Sequence, residues 1–166
     1  MQTIIMNRRG IEERGKSPFP DTTAVISITD FDYAFAELEN EPQHRLKLAF
    51  DDVDGDVFLE GLDADSTQEK WEELTQKYHM FSDEQAQEIA VFYWKTLTCG
   101  VDTIIVQCEY GHSRSAAVVA AIREFEDKDG ISIFAAEQYY PNKVVFRKTL
   151  KALREYITVD SSLHTD

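Results

Sequence analysis

Apolar positions along the chain recur with two different periods, and the two take turns. Short β-branched runs of strand length fall at residues 1–10, 23–28, 45–50 and 101–106. Between and after them lie longer stretches whose apolar residues return every three or four positions, as on one face of a helix. The first run closes on Arg8-Arg9-Gly10, and Lys16-Ser17-Pro18-Phe19-Pro20 punctuates a loop. Thr23-Ala24-Val25-Ile26-Ser27-Ile28 is apolar enough for a buried strand, whereas Arg45-Leu46-Lys47-Leu48-Ala49-Phe50 alternates as a half-exposed one does. The acidic stretch between them, residues 31–43, reads as partly helical.

Ser66 with Glu69, and Ser82 with Gln85, have the spacing of capping boxes. The first predicts a helix carrying Trp71, Leu74 and Tyr78; the second predicts one with a core stripe of Ala86, Ile89, Ala90, Tyr93 and Leu97. Residues 115–125 are alanine-rich and lack Gly and Pro, so they also read as helix. Pro141 suits the first turn of a last helix, in which Val145, Phe146, Thr149, Leu150, Leu153 and Tyr156 recur. Strands alternating with helices predict a single α/β domain over residues 1–157, with a mainly parallel central sheet flanked by helices on both faces. Residues 158–166 read as a polar, frayed C-terminal tail. In sheets of this kind ligands gather at the carboxyl ends of the strands.

The segment that carries chemistry is Gln107-Cys108-Glu109-Tyr110-Gly111-His112-Ser113-Arg114-Ser115, set between the strand at 101–106 and the helix at 115–125. A strand-to-helix loop aims several backbone N–H groups into one hollow, and the helix dipole adds partial positive charge there. Residues 109–114 therefore read as a cradle for a phosphate dianion. Cys108 shares that field, and a thiol so placed is expected to ionise below its free value of about 8.5 and act as a nucleophile. The planar guanidinium of Arg114 can grip two phosphate oxygens at once. Gly111 is expected to let the backbone approach the ligand closely. The Ser115 hydroxyl can donate to the departing sulfur. His112 reads equally as a phosphate partner or a surface side chain, Tyr110 as a packing or substrate-stacking ring, and Glu109 as a solvent-directed side chain.

On these residues the chain resembles the cysteine-dependent protein tyrosine phosphatase superfamily, whose signature is His-Cys-x5-Arg followed by Ser or Thr, and within it the compact bacterial dual-specificity-like type. The resemblance implies hydrolysis of phosphomonoesters through a cysteinyl-phosphate, with no metal or organic cofactor. Gln107 departs from the pattern, standing where the family has His. Such enzymes take their general acid from a loop upstream of the nucleophile. Asp51-Asp52-Val53-Asp54 directly follows the strand at 45–50, and Phe50-Asp51-Asp52-Val53 maps onto a Phe-x-Asp-Val segment of related enzymes, which nominates Asp52, with Asp51 and Asp54 as alternatives. The segment imitates an EF-hand loop only in part, since Val57 stands where the turn glycine belongs, so calcium is not expected. The helix around Trp71 reads as an insertion that could cover the site.

Composition narrows the setting. With 17 basic against 31 acidic residues in 166, the net charge is −14. That charge argues against nucleic acid or an acidic membrane surface as a partner and leaves phosphorylated proteins or small phosphomonoesters, held by local rather than global positive potential. No run approaches the ~20 apolar residues that span a bilayer, and the first residues are too short for a secretory signal. A cytoplasmic protein is expected. A strand between Cys99 and Cys108 would hold the two sulfurs ~20 Å apart, beyond disulfide reach. Two readings from other classes remain: a pseudophosphatase that binds phosphorylated partners without turnover, and a sulfur transferase or arsenate reductase with a similar anion loop.

Overall fold

The computed structural model describes residues 1–162; residues 163–166, the end of the expected tail, lie outside the described residues. Its centre is a four-stranded sheet formed by β1 (Gln2–Asn7), β2 (Thr23–Thr29), β3 (His44–Ala49) and β4 (Thr103–Cys108), in the spatial order β1-β4-β2-β3. Every pairing is parallel. All four carboxyl ends therefore lie along one edge of the sheet, and the residues that follow them, Arg8, Asp30, Phe50 and Glu109, are brought together although they are far apart in sequence.

The two faces are covered differently. Side chains alternate across a strand, so Ala24, Ile26 and Ile28 of β2 and Ile104, Val106 and Cys108 of β4 enter the larger core. That core is closed by α4 (Asp83–Thr98), α5 (Arg114–Asp127) and α7 (Lys143–Ser162). Val25 and Ile105 point the other way into a smaller cluster, sealed by Ile11 of α1 (Arg8–Arg14) and by irregular chain bearing Ala36 and Leu38. Three short or peripheral helices complete the domain: α2 (Gly55–Leu59), α3 (Ala64–Lys77) and α6 (Ile131–Ala135). Among the described residues no helix is long and apolar enough to cross a membrane.

Several local expectations shift. Arg8-Arg9-Gly10 does not end the first strand; it opens α1, because the Asn7 side chain accepts from Gly10 N–H and caps the helix. Residues 31–43 form no helix. The fourth strand runs two residues later than its apolar run suggests; Asp102 N and Thr103 N both donate to Thr22 O, just before β2. The α3 helix starts earlier than Ser66: Asp63 is its cap, accepting from Ser66 N. At α4 the Ser82–Gln85 capping box is present in full. Pro141 lies just before α7 and not in its first turn, and Asn142 caps the helix by accepting from Val145 N. That helix continues through Ser162, past the point where fraying was expected. Cys99 is exposed at the α4 C-cap, before β4, and Cys108 is buried at its far end, both as free thiols.

Candidate active site

Cys108 is the last residue of β4 and 2% exposed. Its Sγ lies 3.1 Å from Ser115 Oγ, the second residue of α5. The chain between them makes the turn that the sequence predicts, with Gly111 at φ +72°. A Cβ there would sit 2.9 Å from Asn7 N and 3.1 Å from Met6 C, so the close approach of the loop to the end of β1 itself demands glycine. No side chain can occupy that position without moving backbone, and the left-handed φ disfavours one independently. Among the described residues the N–H groups of Tyr110, Gly111, His112 and Ser113 donate to no protein acceptor, so these donors are not used within the protein.

Each side chain of the loop is assigned by its contacts. Glu109 does not point to open solvent: its Oε2 accepts from Arg8 Nε at 2.6 Å, which pairs the carboxylate with a cation. Burial works against the Arg8 charge, but the hydrogen bond and charge of Glu109, helped by Glu12, more than offset it and hold its pKa above the usual arginine value. His112 Nδ1 faces Gln138 O at 2.7 Å, and because a carbonyl only accepts, that nitrogen carries the proton. Tyr140 N donates to His112 O. The imidazole thus ties the loop to the chain between α6 and α7. Ser113, at the N-cap position of α5, uses its hydroxyl to donate to Asp52 Oδ1 at 2.8 Å and makes no side-chain cap bond.

Arg114 is 2% exposed. Its Nη1 donates to Phe50 O at 2.7 Å and pairs with Asp30 Oδ1 at 2.6 Å. Its Nε is buried without a hydrogen-bond partner, 3.8 Å from Asp52 Oδ2. A buried guanidinium donor that makes no hydrogen bond, beside a cysteine, has the chemistry to accept an anion.

Of the three candidate acids, the structure brings Asp52 to the cysteine. Asp52, Cys108, Arg114, Tyr110, His112 and Tyr140 are among the residues lining a cavity of about 480 Å³. Asp52 Oδ1 also accepts from Asn142 Nδ2 at 3.1 Å, so the α7 cap residue steadies it. Asp51 is occupied elsewhere: its Oδ1 accepts from Phe31 N and its Oδ2 from His79 N, closing a clasp in which the Phe31 and His79 rings stack at 3.4 Å. Asp54 accepts from Lys143 N and lines an adjoining cavity with Val57 and Pro141. The helix around Trp71 supplies neither cavity. Trp71 packs instead where a Cβ on Gly55 would be, so α3 braces α2 from behind.

Tyr110 and Tyr140, each 75% exposed, stand at the cavity as aromatic walls. Asp30 and Tyr140 were not legible as site residues in the sequence, although Asp30 follows β2 much as Asp52 follows β3. Gln107 is 1% exposed on the face of β4 opposite Cys108, and neither atom of its amide finds a partner. It does not hydrogen-bond the loop.

No known protein family matches the sequence, and no curated protein matches it significantly. Among solved structures, a human tyrosine phosphatase-like serine/threonine/tyrosine-interacting protein is similar, with a TM-score of 0.45 and 17% identity, over 82% of this chain and 77% of that one. The chemistry of the site is read from its own residues.

Proposed function

We propose that the chain is a metal-independent phosphomonoester hydrolase of the protein tyrosine or dual-specificity type, acting through a cysteinyl-phosphate. The observation that carries this is the meeting, in one cavity, of a cysteine 3.1 Å from a serine hydroxyl and an arginine whose buried Nε makes no hydrogen bond. The Cys108 thiolate attacks phosphorus, forming the S–P bond as the bond to the leaving oxygen breaks. Asp52 gives that oxygen its proton. Arg114 and the loop N–H groups hold the equatorial oxygens, whose charge grows in the transition state. Water then attacks the phosphoenzyme, Asp52 takes the proton, Ser115 stabilises the leaving sulfur, and inorganic phosphate departs. Phosphorylated protein side chains and small phosphomonoesters are the substrates this scheme admits. An arsenate-reductase reading is disfavoured because Cys99, the other described thiol, sits at the opposite end of β4.

The test is turnover of para-nitrophenyl phosphate in EDTA. Wild type is expected to hydrolyse it and Cys108→Ser to lose at least ~10⁴-fold, in line with loss of a covalent nucleophile. Asp52→Asn should lose ~10–10²-fold in kcat with disappearance of one limb of the pH profile. A folded wild type that binds phosphate but never turns substrate over would replace hydrolysis by a binding role.

A further inference from the structure

We infer that Asp30 is the positioning residue for Arg114, an inference that rests on the phosphate-binding half of the reading above. A guanidinium can address a phosphate along its end, through the two Nη atoms, or along its side, through Nε and one Nη. In this site the choice is already made. Nη1 is held by Asp30 Oδ1 at 2.6 Å and by Phe50 O at 2.7 Å, which leaves the Nε edge, where the buried donor makes no hydrogen bond and faces Asp52 Oδ2 only at 3.8 Å.

The two acceptors come from neighbouring parallel strands. Asp30 is the residue after β2 and Phe50 the residue after β3, so the sheet edge itself forms a two-point bracket on Nη1. The bracket is braced. Tyr33 N donates to Asp30 O, Phe31 N donates to Asp51 Oδ1, and Phe50 N donates to Thr29 O, so each end of the bracket is tied back to the other strand. The Phe50 ring lies 5.9 Å from the guanidinium carbon and limits its tilt. Asp30 is not among the residues lining the cavity that holds Cys108. It acts through Arg114, by fixing which edge of the guanidinium meets the phosphoryl oxygens as they move in the transition state, where small displacements are costly.

A carboxylate beside the anion-binding arginine could instead compete with phosphate, and the two roles predict opposite signs. The experiment uses the full chain with Asp30→Ala, Asp30→Asn and Asp30→Glu. It measures kcat and KM for para-nitrophenyl phosphate, the inhibition constant of orthovanadate, and melting temperature. Positioning predicts that Asp30→Ala loses ~10–10²-fold in kcat with KM changed far less, that orthovanadate weakens by a similar factor, and that melting stays within a few degrees. Asp30→Asn keeps an acceptor without the charge and should fall between, and Asp30→Glu should recover most of the loss. Tighter orthovanadate binding in Asp30→Ala, or kcat and inhibition within twofold of wild type in a folded variant, would overturn it. Should Asp30→Ala fail to fold, the Asn and Glu variants carry the same comparison. Calorimetric titration with inorganic phosphate reads the bracket even if wild type proves inactive, so failure of hydrolysis and failure of this inference remain distinct.

Discussion

Residues 108–115 hold a thiol, a guanidinium and a hydroxyl within eight consecutive positions, whereas the groups that press on that guanidinium arrive from Asp30, Phe50 and Asp52, with Asn142 behind them. The loop is a local object. Its shape follows from one turn between β4 and α5, and among the described residues the N–H groups of that turn meet no protein acceptor. The bracket is a property of the parallel sheet: it exists because strands running the same way end at one edge. The loop can therefore be recognised in isolation, while the bracket appears only once strand order is known.

Three substitutions probe that contrast, each at a different distance from the chemistry. Gly111→Ala attacks the loop where it meets β1. The new Cβ would press on Asn7 N at 2.9 Å, and backbone cannot swing aside as a side chain end can. With φ at +72° the strain adds to the clash, so ~2 kcal/mol or more of stability should be lost in chemical denaturation, together with most phosphate affinity. Retained stability and affinity would show that the loop does not depend on this contact.

Asn142→Ala reaches the bracket from behind. It removes both the α7 cap and the donor to Asp52, so about 1 kcal/mol of stability should go with the cap. The kcat should fall severalfold while orthovanadate affinity holds, since Arg114 is untouched. A loss of anion affinity as large as that of an Asp30 variant would erase the division between acid support and arginine support.

Gln107→Met should do least to activity. The amide is buried with no partner, and a buried polar group left unsatisfied costs roughly 1–3 kcal/mol. An apolar side chain of similar volume should leave kcat within twofold and raise the melting temperature or leave it unchanged. A large fall in kcat would mean that the residue before Cys108 tunes the loop across the strand.

The same contrast explains what was legible in the sequence. Cys108, Arg114 and Ser115 announce themselves by spacing, the acidic cluster that contains Asp52 by directly following an alternating strand, and Asp52 within it only by the Phe-x-Asp-Val resemblance. Asp30 was hidden because the acidic stretch after it resembles helix, although that stretch actually drapes Ala36 and Leu38 over the smaller core. Arg8-Arg9-Gly10 looks like a strand terminus by composition, yet Asn7 turns it into a capped helix whose first residue holds Glu109. At α3 the box at Ser66 and Glu69 was the right kind of signal one turn late, because Asp63 can cap as well as serine. In each case the residue type was informative and its partner was not, since the partner lay on another strand or one turn away. The two faces of β4 show this most plainly: Cys108 and Gln107 are adjacent, and only the alternation of the strand separates a site residue from a buried amide.

The most direct measurement is rapid acid quench during turnover of para-nitrophenyl phosphate by Ser115→Ala, a variant that should slow release of the sulfur, followed by peptide mass analysis. A phosphoryl group on Cys108, formed in a burst and absent from Cys108→Ser, is the expected result. Turnover with no phosphoryl group on Cys108 at any time, or undiminished turnover by Cys108→Ser, would contradict the account.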